Sequence, residues 1–419
     1  MATIAFVSPL PPAATGIATY ASTVLGGLED GDATRRDRVD RVWPVGRDAR
    51  NRVRAADVAV YQLGNNVEFH GDIYRLSVWN PGIAVLHDLS LDGLMYGLGA
   101  AADPLTQPAR AEAVAAARPD ADREDPLGIP WCAQAVRRAR AVIVHSRFAR
   151  DYLFGFGCRT PIVVAPHPLV EDEGQIAEAR ERGALLRREV APGDEVVVGV
   201  AGDLNASKGI EGLLAAAGHL GERIRVVLVG RRSPHWDLVG VLRGSGIRDR
   251  VTVVNDANDA DFLAWLCAFD ILVNLRHPHR GETSGSLVRA LHAGVPTIVS
   301  GVGTYLEIPD GVVQRIAPGP PDPSELSTAI ERLVQDPARR REMGQRASGF
   351  ARDAFALDKT VAAYRQAIDV VLTLLGDAGR RALARWADGL QSVGVVPKMA
   401  ASGFGVRYPE ALAELRRRS

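Results

Sequence analysis

Short apolar runs rich in valine and isoleucine recur along the chain without polar alternation. They fall at residues 4–8, 58–63, 83–87, 142–145 and 162–165, then at 196–201, 224–229, 251–254, 271–274, 297–300 and 312–316. A strand with one wet face alternates, whereas a strand covered on both faces of a parallel sheet does not. Between the runs lie segments with helical apolar spacing, including 171–190, 210–219, 259–268, 324–335 and 338–355. Strands and helices that alternate in this way predict an α/β fold. The polar helix at 171–190 ends in Ala191-Pro192-Gly193-Asp194, and a fresh valine-rich strand starts at Val196. That breaker divides the chain into two doubly wound, parallel-sheet halves, residues 1–192 and 193–377. Ligands of such sheets bind beyond the carboxyl ends of the strands, so two facing halves make a cleft. Val361, Tyr364, Ile368, Val371, Leu372 and Leu375 form one helical stripe, which Gly376 is expected to interrupt before a helical pattern resumes over 378–389. Residues 378–419 are expected to return to the first half and complete it. Closure of the cleft is expected to hinge near Gly193 and Gly376.

Composition excludes several classes. The 419 residues carry 50 basic and 50 acidic side chains, so no net basic field draws nucleic acid or anionic lipid. Apolar residues make up 47%, too many for a disordered chain. No run approaches the ~18 uninterrupted apolar residues of a membrane span. The start, Met1-Ala2-Thr3-Ile4-Ala5-Phe6-Val7-Ser8-Pro9, lacks a basic leader and reads as a buried strand. Cys132, Cys158 and Cys267 have spacings of neither a zinc site nor a disulfide framework, which fits a reducing, cytoplasmic setting. Lysine occurs only at 208, 359 and 398 among the 50 basic residues. In so arginine-rich a chain, a retained lysine marks a place that wants a compact charge.

Three loops could carry chemistry. In the first, Arg276-His277-Pro278-His279-Arg280-Gly281-Glu282-Thr283-Ser284-Gly285-Ser286, a strand leads into the start of a helix. Backbone N–H groups around Thr283, Ser284, Gly285 and Ser286 would be unpaired there, as phosphate binding requires. Glu282 could accept two hydroxyls in a fork. In the second, Gly202-Asp203-Leu204-Asn205-Ala206-Ser207-Lys208-Gly209, another strand–helix turn holds one of the three lysines. The third surrounds Gly16, where a missing side chain lets backbone approach a ligand. His87 and Asp88 end one strand, and Asn65, Asn66 and His70 follow another, so all five are expected at the cleft. His145 and His167 also end strands and read as structural. Asp120/Asp122 and Asp259/Asp261 lack partners for a metal site.

The order of these elements resembles the retaining glycosyltransferases of family 4, which have the GT-B fold of two Rossmann-like domains. The resemblance covers most of the chain through Thr15-Gly16-Ile17, His87-Asp88, Val144-His145-Ser146, Lys208-Gly209 and the Gly281–Gly294 segment. Its Gly-Glu-Thr-Ser-Gly loop is similar to that of a bacterial subgroup. Two positions depart from the family pattern: Arg289 stands where a second glutamate is usual, and Asp203 where an arginine is common.

The resemblance implies that a nucleotide-diphosphate sugar, with UDP and GDP both open, lies against the second half. His87, Lys208 and Glu282 would then be catalytic. Gly16, Asp203, Asn205, Arg276, Arg280, Thr283, Ser284, Gly285 and Ser286 would bind donor, with Arg276 or Arg280 supplying the missing charge. Asn65, Asn66, His70 and Asp88 would meet the acceptor, which could be a glycan, a lipid-linked sugar or a small secondary metabolite. No metal or other cofactor is implied. Two alternatives remain: a degenerate member that binds nucleotide sugar or supports a partner enzyme, and a sugar-nucleotide epimerase.

Overall fold

The computed structural model describes residues 2–30, 37–122 and 125–392, with side chains placed as far as residue 376. Two six-stranded sheets organise the chain. The first contains β1 (Thr3–Val7), β2 (Arg38–Val42), β3 (Val58–Leu63), β4 (Ile83–Leu86), β5 (Ala141–Val144) and β6 (Ile162–Val164), in the order β2-β1-β3-β4-β5-β6. The second contains β7 (Val196–Ala201), β8 (Ile224–Val229), β9 (Val251–Val254), β10 (Ile271–Asn274), β11 (Thr297–Ser300) and β12 (Gln314–Ile316), in the order β12-β11-β10-β7-β8-β9. Every pairing is parallel. The expected α/β class and its two doubly wound sheets are both present.

Unbroken apolar strands follow from cover on both faces. Ala5 and Val7 of β1 enter one core, while Ile4 and Phe6 enter the core on the opposite face. In β7, Val196, Val198 and Val200 face one side, and Val197 and Ala201 the other. Gly199 breaks the valine run because a Cβ there would lie 2.2 Å from the Phe269 ring.

The division of the chain differs from the expected one at both crossings. Helix Glu173–Val190 puts Ile176 and Ala179 into the core of the second sheet, beside Leu263 and Leu266. It therefore belongs to the second half, although it precedes the Ala191–Asp194 breaker. The return is also earlier than residue 378. Helix Leu357–Ser392 already inserts Val361, Tyr364, Ala367, Ile368 and Val371 beside Ile4, Phe6 and Val60 of the first sheet. Gly376 lies inside that continuous helix and does not interrupt it. The two crossings run side by side, with Leu169 N–H donating to the Phe355 carbonyl at 2.8 Å and the Thr360 hydroxyl to the Pro166 carbonyl at 2.8 Å. Neither Gly193 nor Gly376 is at a crossing. Of the tail expected to complete the first half, residues 393–419 lie outside the described residues.

Sheet order places the functional loops. Strand order reverses between β7 and β10 in the second sheet and between β1 and β3 in the first. Crevices open at such reversals. The Gly202–Gly209 and Arg276–Ser286 loops leave the carboxyl ends of β7 and β10, so the switch point brings them together.

Candidate active site

The β7 loop is shaped by backbone that only glycine adopts comfortably. Gly202 has φ +104° and Gly209 φ +66°. Between them Asn205 closes a tight turn, its Oδ1 accepting from Ser207 N–H at 3.0 Å and from the Ser207 hydroxyl at 2.7 Å. Asn205 thus builds the loop, its Nδ2 donating to the Asp203 carbonyl at 3.3 Å.

The turn buries Lys208 to 5% exposure. Its Nζ donates to the Ala201 carbonyl at 3.1 Å. Two further ammonium N–H groups have no hydrogen bond among the described residues. Burial, then the Arg276 charge, push the Lys208 pKa well below its ordinary value. A Cβ on Gly202 would sit 3.1 Å from Nζ and 3.6 Å from the Ser286 hydroxyl. The ammonium and the helix start therefore border one small space.

That helix, Gly285–His292, is capped by Ser284, whose hydroxyl accepts from Leu287 N–H at 3.3 Å. The Ser284 hydroxyl also lies 3.1 Å from that of Ser286 and accepts from the Arg276 guanidinium at 3.2 Å. First-turn N–H groups at Gly285 and Ser286 have no carbonyl one turn back, which makes this end of the dipole an anion site. The Thr283 hydroxyl is buried with no hydrogen-bond partner among the described residues.

Glu282 is held on both oxygens, one accepting from Arg276 Nε at 2.7 Å and the other from Arg280 N–H at 2.7 Å. Burial opposes its ionisation, but Arg276 and the backbone donors prevail and hold its pKa below the usual value. A carboxylate retains lone pairs beyond those two bonds, so hydroxyls can still be received. Arg276 also donates to the Leu275 carbonyl at 2.7 Å and to the Asn274 and Ser284 side chains, so four of its five N–H groups are engaged within its own loop. Arg280 pairs with Asp92 of the first half. Neither arginine is a spare cation for the position that Asp203 occupies. Arg231, which sequence reasoning passed over, reaches that place from the end of β8. Its guanidinium contacts Asp203 at 3.3 Å and the Ala14 carbonyl of the facing half at 3.2 Å.

Opposite this wall stand the loops of the first sheet. Gly16 begins helix Gly16–Asp30, with open space where a side chain would extend. Asp88 accepts from Asn65 N–H at 3.0 Å, and Asn65 donates its side-chain amide to Asp92 at 2.8 Å. Burial, then Glu282, raise the Asp88 carboxyl to about 7. Asn66 caps helix Val67–Trp79 through Glu68 N–H. His70 does not line the cleft: it is 1% exposed, and its Nδ1–H donates to the Gln62 carbonyl at 3.0 Å. A helical face turned toward the sheet, not a loop, carries it inward. The structure brings together Lys208, Glu282, Thr283, Ser284, Gly285 and Ser286, and sets Asp88 against Glu282 across the seam.

His87 ends β4 within an unforeseen cluster. Its ring meets Tyr20 edge-on at 4.7 Å and His145 at 4.9 Å, and His167 lies 5.2 Å from Tyr20. Burial keeps all three histidines neutral, lowering His145 to about 4 and His167 to about 3. His167 reaches the other wall, since a Cβ on Gly285 would lie 3.3 Å from its Nε2. Arg289 is tied to Glu171 of the crossing segment and to Asp259, with its guanidinium 4.9 Å over the Phe262 ring.

Residues 195–336 match the family described as Glycosyl transferases group 1. The chain is 29% identical over 259 residues to an alpha-D-kanosaminyltransferase of Streptomyces kanamyceticus, covering 58% of this chain and 64% of that one. It is 24% identical over 209 residues to a 2-deoxystreptamine glucosyltransferase of the same organism, covering 49% and 54%. The matches thus span between about half and two thirds of those relatives' lengths. Among solved structures, Anabaena HepE in complex with UDP and glucose superposes with a TM-score of 0.62 at 16% identity, covering 88% of this chain and all of that one. The fold is the two-sheet GT-B arrangement. Among the described residues no helix is long and apolar enough to cross a membrane.

Proposed function

We propose that the chain is a retaining glycosyltransferase that moves a sugar from a nucleotide-diphosphate sugar to a small polyhydroxylated acceptor such as an aminocyclitol. One observation carries the reading: Lys208, a buried ammonium with two unpaired donors, borders the same space as the start of helix Gly285–His292. A group with two phosphates satisfies both. The group-1 match spans this wall, and the 2-deoxystreptamine glucosyltransferase named above favours the small acceptor.

In this mechanism the bond from the anomeric carbon to the diphosphate oxygen breaks, and Lys208 with the Gly285 and Ser286 N–H groups receives the growing negative charge. Glu282 and His87 hold hydroxyls of the sugar as it becomes oxocarbenium-like. The acceptor oxygen bonds to the same face of the anomeric carbon, and its proton passes to the departing phosphate oxygen. Asn65, Asp88 and the Gly16 loop orient the acceptor, so positioning supplies much of the rate. With the charge met by Lys208 and the helix start, no divalent metal is required, and transfer is expected to survive chelator. Three free thiols among the described residues suit a cytoplasmic enzyme.

The test is transfer and donor hydrolysis by the parent, Lys208→Ala and Glu282→Ala, after a thermal-shift screen of UDP, GDP, ADP and TDP has chosen the nucleotide. NMR of the product should show the donor's anomeric configuration. A parent no faster than its variants leaves a nucleotide-sugar-binding protein, and an inverted product overturns the same-face mechanism.

A further inference from the structure

Beneath the cleft floor a chain of side-chain hydrogen bonds connects the returning helix to His87. Gln62, next to last in the buried strand β3, is 0% exposed. Its Oε1 lies 2.8 Å from His87 Nε2, and its Nε2 donates to the Tyr364 hydroxyl at 3.0 Å. The Tyr364 hydroxyl meets that of Tyr20 at 2.9 Å, and the Tyr20 ring packs edge-on against His87. A primary amide in a strand buried on both faces is costly unless satisfied. Here each end of the amide has a named partner.

The other buried histidines are arranged differently. His70, His145 and His167 each place Nδ1 against a backbone carbonyl, of Gln62, Ala165 and Pro168, at 3.0, 2.9 and 3.1 Å. A carbonyl only accepts, so these three are Nδ1–H tautomers. His87 instead gives Nε2 to an amide oxygen, which makes it the Nε2–H tautomer and leaves Nδ1 as a lone pair with no partner among the described residues. His87 is also less buried than His70, His145 and His167. A ring nitrogen fixed as an acceptor suits a sugar hydroxyl, which has a hydrogen to give.

We propose that Gln62, oriented by Tyr364, is the positioning residue that locks His87 as the Nε2–H tautomer and presents its Nδ1 to a hydroxyl of the donor sugar. The proposal rests on the transferase reading for the identity of that hydroxyl, but the hydrogen-bond chain stands without it. Tyr364 belongs to a helix that the chain reaches only after completing the second half, so the last long helix sets the chemistry of a first-half residue.

Long-range proton–nitrogen NMR spectra of the full chain labelled with nitrogen-15 histidine test this directly. The parent is expected to show His87 as the Nε2–H tautomer against three Nδ1–H histidines. Gln62→Leu should mix the His87 tautomers and lower kcat about tenfold with donor KM within about twofold. Tyr364→Phe keeps the ring stacked on Phe6 and should shift the tautomer balance and kcat in the same direction, by about threefold. Gln62→Glu retains an acceptor for Nε2–H, so it should keep the parent tautomer and move the acidic limb of the pH profile upward. An unchanged His87 tautomer in Gln62→Leu overturns the proposal, as does a changed tautomer with unchanged kcat. A parent that turns over no sugar nucleotide sinks the transferase reading, while the tautomer spectra still decide the hydrogen-bond chain.

Discussion

Arg280 grips Asp92 across the seam, guanidinium Nε to carboxylate at 2.9 Å, while its own carbonyl accepts from Leu89 and Ser90 N–H at 2.9 and 3.1 Å. The residue that donates its backbone N–H to Glu282 is therefore also the residue on which the first half closes. Both side chains are about one-third exposed, so the pair contributes about 1 kcal/mol or less. Asp92→Asn is expected to raise donor KM by about threefold to tenfold with little change in melting temperature, because the seam loosens while each half keeps its core. Initial rates and thermal melts of the same preparations check both parts.

A bound diphosphate should raise the Lys208 pKa. Burial and Arg276 hold its pKa far below the ordinary lysine value in the empty site, and a dianion beside it works in the opposite direction. Nucleoside diphosphate affinity is thus expected to weaken as pH rises through the Lys208 titration, with protons absorbed on binding within that range. Calorimetry in two buffers of different ionisation enthalpy measures that uptake. Lys208→Met should abolish it and lower kcat about 10²–10³-fold, as loss of a donor to a developing anion does.

Asp88 gives stability a pH dependence of definite sign. Its carboxyl is raised to about 7, by burial first and Glu282 second, above the 3.8 of the unfolded chain. The folded state then holds a proton that the unfolded state has lost, so this contribution is complete below about pH 4 and disappears as pH rises toward 7. Denaturant unfolding of the parent and Asp88→Asn at several pH values should show their difference changing across that window and flat above it. A difference that does not vary with pH would refute the assignment.

The Arg289–Glu171 pair, with side chains 13% and 5% exposed, belongs to the interior. Removing one partner strands a buried charge, so Arg289→Ala is expected to cost about 3–5 kcal/mol. The double variant Arg289→Ala/Glu171→Ala should recover part of that loss in the same urea titration. Recovery would establish that Arg289 anchors the crossing segment to the helix of the donor loop.

Legibility followed physical cause. The two donor loops could be read because a strand, a glycine and a helix cap sit next to one another in sequence, and sheet order then brings the loops together. Strand β2, Arg-Val-Asp-Arg-Val, is not legible in the sequence because it is an edge strand with little burial, so its apolar signal is weak. Helix Glu173–Val190 reads as part of the first half because its polar surface hides a narrow apolar face, and only the packing partner reveals its side. Gln62 looks like an interruption in a valine-rich strand, and Tyr364 like one more member of a core stripe. Their contact spans 302 residues of sequence, and no local pattern encodes it. His145 and His167 end strands as many structural histidines do, and only the shared packing around Tyr20 distinguishes them.

The return of the chain to its first sheet has a consequence for synthesis. One face of β1, β3 and β4 is covered in part by side chains from residues 361 to 371, which leave the ribosome after the entire second half. The first half must wait with a bare apolar flank while nearly half of the protein is made, exposed to aggregation and to chaperones, and a nascent chain halted before residue 357 is expected to stay in that state.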